Sequence, residues 1–176
     1  MPNLLNPMLP GQNVDPQFFN DSIDNARSVK YQKTDLTRNN TTTYLDSTDL
    51  TVAVLANAAY TFEACFFVDS STTADAKVRL TLPASSAALI APWSSGTGAA
   101  SGGNAINQQG AAPVSNVVEW IVGGVGSGTA QSLRPVGWIN ISATAGNLVI
   151  GFAQNTASAV NTLLKTGSFF AITRVF

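Results

Sequence analysis

The sequence contains no histidine and only one cysteine, Cys65. A chain without histidine lacks the commonest general base and metal ligand, and it cannot form a Ser-His-Asp triad. A single cysteine excludes an intrachain disulfide and a cysteine-based zinc site. Because Cys65 lies within an apolar run, we expect a buried, unreactive thiol. These absences predict a protein that is not an enzyme and that holds no metal or cofactor.

Charged residues are also scarce. They make up 11% of the chain, against roughly 25% in an ordinary soluble domain, whereas hydrophobic residues make up 45%. The formal net charge is −1, and no cluster of Lys and Arg marks a nucleic-acid site. No run approaches the roughly 20 apolar residues of a membrane helix, and residues 1–26 lack the basic start and apolar core of a signal peptide. We therefore expect neither nucleic acid nor a membrane as a partner.

The scarcity of charge is local. Residues 80–176 contain only Glu119, Arg134, Lys165 and Arg174 as charged side chains, whereas residues 1–50 contain six aspartates and four basic residues. The sequence therefore divides into a charged N-terminal part and a nearly neutral remainder.

Residues 1–27 are predicted to form an N-terminal arm. Four prolines within the first 16 residues disfavour regular structure there. Asp15 and Pro16 are a typical helix start, and Phe19, Ile23 and Ala26 follow on one helical face, so one short helix is expected. A helix this short is marginal alone and must pack against something. The apolar anchors that the arm offers are Leu4, Leu5, Met8, Phe18, Phe19 and Ile23.

From residue 28 onward the hydrophobic period is two, which is typical of strands. The alternation is clearest in residues 60–68, 76–82, 138–143 and 148–153. Further strands are predicted at 28–33, 41–45, 48–55, 87–91, 116–122 and 168–175. Because eight to ten short strands follow one another without crossover helices, we expect an all-β antiparallel sandwich or barrel over residues 28–176. The Gly-rich segments 94–114 and 123–132 are predicted to be surface loops.

Few side chains form a convincing catalytic or metal-binding set. Glu63 and Glu119 are the only glutamates, and salt bridges with Arg79 or Arg134 explain them more simply than acid–base catalysis. The best calcium candidates are two aspartate pairs that lack the spacing of a calcium loop and are expected to be solvated turn residues, namely Asp46 with Asp49 and Asp69 with Asp75.

The three tryptophans raise the possibility of carbohydrate binding, since aromatic rings stack on sugars and β-sandwiches often host lectins. Trp120 and Trp138 lie within predicted strands, where packing in a core or a subunit interface is the default. Trp93 follows Pro92 at the edge of the first Gly-rich loop and is the single candidate for an exposed ligand site.

A Lys-Thr strand (27–34) precedes a Thr-rich and Asp-Leu stretch (41–52) and an aromatic Tyr-x-Phe-Glu strand (56–64). Taken in this order, the segments resemble a module of tailed-bacteriophage virion proteins. Downstream, 73–78 matches the module's small-Asp-x-Lys-hydrophobic segment. Further matches are 145–148, 152–155, 166–170 and 174–175. The resemblance covers roughly residues 27–176 and does not extend to the arm, and the insert at 94–114 departs from it.

The resemblance implies a jelly-roll-like antiparallel sandwich that assembles as a homotrimer on the virion and has no catalytic residues. Strands 60–68 and 148–153 are apolar or small on both faces, which also favours packing against another copy. Candidate residues for the trimer interface are Phe67, Trp120, Trp138 and Phe169. The arm would then attach the trimer to the major capsid protein at the capsid surface.

Two other functions stay open at this point. A tail-fibre or receptor-binding tip that recognises a host-surface glycan would give the long loops and Trp93 a role. The absence of a collagen-like or coiled-coil stalk favours the capsid surface instead. A cellular lectin or adhesin is the second alternative.

Overall fold

The computed structural model describes residues 27–92 and 116–175, in which the chain forms twelve β-strands and no helix. Consequently no helix in these two ranges is long and apolar enough to cross a membrane. The strands are β1 (Arg27–Tyr31), β2 (Leu36–Arg38), β3 (Leu45–Val54), β4 (Ala59–Asp69), β5 (Ala76–Thr81), β6 (Ala87–Ala91), β7 (Val117–Val122), β8 (Ala130–Leu133), β9 (Val136–Asn140), β10 (Gly146–Gln154), β11 (Thr162–Leu164) and β12 (Phe169–Arg174).

Eight of these strands form the first sheet, in which three pairs of short strands act as interrupted long strands. β4 runs unbroken through the middle and pairs with β12 and then β11 on one side, and with β9 and then β8 on the other. β1 and β2 lie outside β12 and β11, and β6 lies outside β9. The sheet therefore has five tracks in the order β1/β2, β12/β11, β4, β9/β8 and β6, and every pairing is antiparallel.

The second sheet has four antiparallel strands in the order β3-β10-β5-β7. Along the described chain, each track lies in the opposite sheet from the track before it. The first sheet contains, in chain order, the tracks β1/β2, β4, β6, β8/β9 and β11/β12. The second sheet contains the strands β3, β5, β7 and β10. This alternation between two antiparallel sheets is the winding of a jelly roll, with β6 as an additional edge strand. The sequence-based prediction of an all-β antiparallel sandwich is confirmed.

The core lies between the two sheets because alternate residues of each strand point inward. In β4 the inward set is Tyr60, Phe62, Ala64, Phe66 and Val68, each no more than 5% exposed. The apolar faces predicted for residues 76–82 and 148–153 are buried as well. In 138–143, Ile139 and Ile141 are buried, whereas Ala143, predicted on the same face, is exposed beyond the end of β9. Across the core, the ring of Phe66 lies 6.5 Å from that of Trp120 in β7.

Gly137 allows the edge strand β6 to join the first sheet. A Cβ atom at this position would lie 2.1 Å from the carbonyl oxygen of Leu89 and 2.7 Å from the Cα of Ile90. No side chain fits so close to a backbone, so β6 reaches β9 at this distance only because residue 137 is glycine.

The sequence prediction was wrong in three details. Residues 41–44 form no strand, and β3 begins at Leu45. The segment 123–132 is only partly loop, since β8 occupies Ala130–Leu133. The short strands β2 and β11 were not predicted. The predicted arm with its short helix, the Gly-rich segment 94–114 and Trp93 lie outside the described residues.

Candidate functional site

The outer surface of the first sheet carries an unusual number of exposed apolar side chains, and we call it the apolar face. Its large hydrophobic residues are between 38% and 59% exposed. They lie on four of the sheet's five tracks, all except β12/β11. They are Val29, Tyr31, Phe67, Leu89, Val136 and Trp138. A face of this kind differs from the polar outer face expected of an antiparallel sheet in water.

Strand register aligns these side chains in rows across the sheet. One row joins Val29, Ala171, Glu63, Val136 and Ala91, and the next joins Arg27, Thr173, Thr61, Trp138 and Leu89. A third, shorter row joins Tyr31, Phe169 and Cys65. In these two rows β12 carries the short side chains of Ala171 and Thr173, whereas taller side chains stand on β1 and β9.

This difference in height leaves a depression of about 390 Å³ in the apolar face. Thr61, Gly137, Ala171 and Thr173 are among its lining residues. Arg27 and Glu63 also line it and form an ion pair with each other. The sequence analysis had proposed Arg79 or Arg134 as partners for Glu63, and Arg27 is its partner instead.

A second ion pair lies on the same side of the sheet, where the tracks β1/β2 and β12/β11 are interrupted. Asp35 pairs with Lys165 and also accepts hydrogen bonds from the backbone N–H and the hydroxyl of Thr166, at 2.8 and 2.9 Å. The hydrogen bond from the Lys165 ammonium, followed by that from the Thr166 backbone, holds the pKa of Asp35 below its ordinary value. The charges of this pair, like those of Arg27 and Glu63, are therefore matched within the chain.

Cys65 lies within the apolar face beside Phe169 and is only 6% exposed. Burial raises the pKa of its thiol, an effect that the nearby Arg134 opposes. A thiol with a raised pKa is a poor nucleophile, which confirms the expectation of a buried, free cysteine.

The outer surface of the second sheet, which we call the charged face, has charged side chains at its centre. Arg79 in β5 forms an ion pair with Asp46 at 2.9 Å and faces Glu119 of β7 across the ladder. The guanidinium of Arg79 also lies 4.2 Å from the ring centroid of Tyr44, close enough for a cation–π interaction. Burial, together with the carboxylate of Glu119, raises the pKa of the Tyr44 phenol.

Gly151 makes this arrangement possible. It lies in β10 between Asp46 and Arg79 in the ladder, and a Cβ there would be 2.8 Å from a carboxylate oxygen of Asp46 and 3.2 Å from Nε of Arg79. The exposed large hydrophobic residues of this sheet, Leu45, Val117 and Ile121, lie on its edge strands β3 and β7 and not at its centre.

One end of the sandwich is tied together by buried polar side chains. The Asp69 carboxylate accepts a hydrogen bond from the N–H of Gly128 at 2.9 Å, and that of Asp75 accepts one from Gly124 at 2.8 Å. Both aspartates are buried, at 7% and 9% exposure, so the expectation that they are solvated was wrong. Their role here is to fix the second Gly-rich segment.

The amide of Gln154 has a similar role at the same end. Its oxygen accepts hydrogen bonds from the backbone of Thr41 and Ser158, and its nitrogen donates to Ser158, Val160 and Thr162. Within residues 27–92 and 116–175, no group of three or more His, Cys, Asp or Glu side chains could hold a metal ion. The other calcium candidates have partners as well: Asp46 pairs with Arg79, and Asp49 accepts a hydrogen bond from the backbone of Lys33.

The candidate interface residues divide into two groups. Phe67, Trp138 and Phe169 all lie on the apolar face, which brings together three side chains far apart in sequence. Trp120 is 4% exposed and packs in the core of its own chain, so we leave it out of any interface. The arm residues and Trp93 lie outside the described ranges.

Four residues of the apolar face were missed: Val29, Tyr31, Leu89 and Val136. Their signal was present in part, because Val29 and Tyr31 alternate with Ser28 and Lys30 in β1.

No protein-family model matches the chain, and neither the curated proteins nor the solved structures contain a significant match.

Proposed function

We propose that the chain is a structural protein of a bacteriophage virion, which decorates the capsid surface as a homotrimer and is attached to the major capsid protein through residues 1–27. The proposed role involves no catalysis and no cofactor. The observation that carries it is the apolar face. A monomer in water rarely exposes this many large apolar side chains on one face of a sheet, so the face favours a role in assembly.

The virion context rests on the sequence resemblance together with the topology. The module that residues 27–176 resemble implies a jelly-roll-like sandwich, and the alternation of tracks between two sheets agrees with that expectation.

The attachment role of the arm rests on its sequence. The arm offers Phe18 and Phe19 as aromatic anchors, with Leu4, Leu5, Met8 and Ile23 as further apolar side chains. Aromatic anchors usually carry much of the binding energy of a protein contact. Three arms on one trimer would raise the affinity for the capsid through effective concentration.

The test is electron microscopy of phage particles with and without this protein, combined with deletion of residues 1–26. Density on the head shell supports decoration. The truncated protein should remain a folded trimer and should fail to bind heads. If the truncated trimer still decorates heads, the attachment role of the arm is wrong, and if no density appears on the particle, the virion role is wrong.

A tail-fibre or receptor-binding tip is the second candidate. Trp138, which is 40% exposed on the apolar face, supplies an aromatic surface of the type that stacks on sugar rings. In that case the additional density would lie at the tail tip, and the protein would bind host-surface glycans.

A further inference from the structure

The apolar face supplies both halves of a contact. Its depression has Thr61, Ala171 and Thr173 among its lining residues, whereas Phe67 and Trp138 remain 38% and 40% exposed on the same face. We propose that this face, with its depression between Arg27 and Gly137, is the surface through which copies of the chain contact one another. This inference rests on the homotrimer of the proposed function and names the surface that forms it.

The size of the face suits such a contact. Five tracks at about 4.8 Å spacing give a width of about 24 Å, and eight residues of β4 at about 3.3 Å each give a length of about 26 Å. One copy thus contributes about 600 Å², the lower end of the roughly 600–1,000 Å² that each partner buries in a specific interface.

The relief of the face suits a cyclic assembly. In a threefold ring each copy meets its two neighbours through different patches of its surface. A projecting apolar side chain of one copy can therefore enter the depression of the next, while its own depression receives a side chain from the third copy. A partner of unrelated shape would have to supply complementary relief by itself, whereas a second copy already carries it.

The charges of the face point the same way. Arg27 pairs with Glu63, and Lys165 pairs with Asp35, so covering these groups removes water from charges that already have partners. Burial of paired charges is far less costly than burial of single ones. Arg134, beside Cys65, adds a positive charge at the interruption of the β9/β8 track.

Two other occupants are outcomes of the test. The first is the chain's own residues 1–26, which lead into Arg27 at the rim of the depression. The second is the major capsid protein. If the chain's own arm covers the face, oligomer formation will not depend on this surface. If the capsid protein covers it, the isolated chain will be monomeric.

The experiment compares two lysine substitutions in the full-length chain. Val136→Lys introduces a charge into the apolar face at a residue that is 46% exposed, and Ile121→Lys does the same on the charged side at a residue that is 41% exposed. Sedimentation velocity at micromolar concentration measures the mass of each. We expect Val136→Lys to raise the dissociation constant of the oligomer at least about 100-fold, because an ammonium group would be buried where the neighbouring carboxylate, Glu63, already pairs with Arg27. Ile121→Lys should leave the wild-type mass unchanged.

A second variant guards against misfolding. Val29→Lys lies in the same row as Val136 but on the edge strand, at 48% exposure, and it should dissociate the oligomer while keeping the wild-type thermal transition. The inference is overturned if both apolar-face variants keep the wild-type mass, if Ile121→Lys is the variant that dissociates, or if the wild-type chain is a monomer.

The failure of the inference can be distinguished from failure of the proposed function. A trimer that dissociates in Val136→Lys but never binds phage particles supports the inference and contradicts the decoration role. A trimer that binds particles and keeps its mass in both apolar-face variants supports the decoration role and contradicts the inference.

Discussion

The two outer faces of the sandwich are built from the same kind of alternating strands, yet they present different chemistry. On the second sheet the outward positions of β5 are Lys77, Arg79 and Thr81, and the face centres on the ion pair of Arg79 and Asp46. On the first sheet the outward positions include Phe67, Val136 and Trp138. The inward positions of both sheets are equally apolar, so burial of the core cannot account for the contrast.

The contrast shows what the outward-facing residues of a sheet indicate about its surroundings. An antiparallel sheet that faces water has polar outward residues, and the charged face follows this rule. The apolar face departs from it, and the departure carries no benefit for the isolated chain, since exposed apolar area is stabilised only when it is covered. The difference between the faces is therefore information about assembly and not about folding.

The largest effect is expected from closing the gap at Gly137. Gly137→Ala places a methyl group 2.1 Å from the Leu89 carbonyl oxygen and should displace β6 from the apolar face, at a cost of about 3 kcal/mol in the free energy of unfolding. Chemical denaturation measures this cost. The control is Gly146→Ala in the second sheet, where the new methyl meets only the ring of Pro83 at 3.1 Å. Equal costs for the two variants would contradict the special role of Gly137.

An intermediate effect should distinguish the ion pairs of the two faces. In the single chain the Arg27 and Glu63 side chains are 55% and 52% exposed, and those of Arg79 and Asp46 are 26% and 57% exposed. If the apolar face is covered in the assembly, the coupling of Arg27 with Glu63 should reach about 2 kcal/mol, against about 0.5 kcal/mol for Arg79 with Asp46. Double-mutant cycles to alanine measure both couplings.

Salt gives a check on this comparison. At about 1 M ionic strength, where the Debye length is about 3 Å, the coupling of the exposed pair should nearly vanish while that of the covered pair persists. Loss of both couplings would show that neither pair is covered.

The smallest effect concerns Asp35, at the interruption beside the apolar face. Because its folded-state pKa lies below that of the unfolded chain, its interactions stabilise the fold at pH values above the unfolded pKa. This stabilisation is lost as the pH falls through the folded pKa. Asp35→Asn should remove this part of the acid sensitivity, at a cost of less than about 1 kcal/mol near neutral pH, since the pair is about one-third exposed.

Urea denaturation as a function of pH measures the effect of Asp35. Thr166→Val, which removes one of the three donors to Asp35, should reduce the acid sensitivity by a smaller amount. An Asp35→Asn variant with the wild-type pH profile would show that this carboxylate does not contribute.

The sequence predicted the long strands well and the short ones poorly. The alternation of β4, β5 and β10 extends over six to eleven residues, enough to define which side faces the core. β2 and β11 have three residues each, too few for any period to be visible. β2 and β11 exist because they extend the tracks of β1 and β12 beyond an interruption. Their formation therefore depends on pairing within the sheet and not on the local sequence.

The incorrect strand at 41–45 has a different cause. Its threonines favour a strand by propensity, but the amide of Gln154 accepts a hydrogen bond from the Thr41 backbone at 3.1 Å and holds the segment as a loop. Residue 154 is 113 positions away in sequence, so no local pattern could have indicated the contact.

The candidate site was predicted in part for the same reason. Phe67 could be assigned to the outward side of β4 because it alternates with Phe66 and Val68. Trp120 could be placed in a strand, but not on a particular side of the molecule. The rows that join Val29 to Val136 depend on the order of tracks in the sheet, and this order follows from pairing between distant segments, such as Val29 with Ala171 and Glu63 with Val136.

The position of the β12/β11 track has a consequence for how the chain is made. This track lies between β4 and the first track, and in the described chain β1 pairs with β12 and β2 with β11. During synthesis the first track therefore has no place in its sheet until residues 162–174 have left the ribosome. Until then, β4 presents an open edge of the kind that promotes aggregation. Completion of the sheet, and with it of the apolar face, therefore waits for residues 162–174.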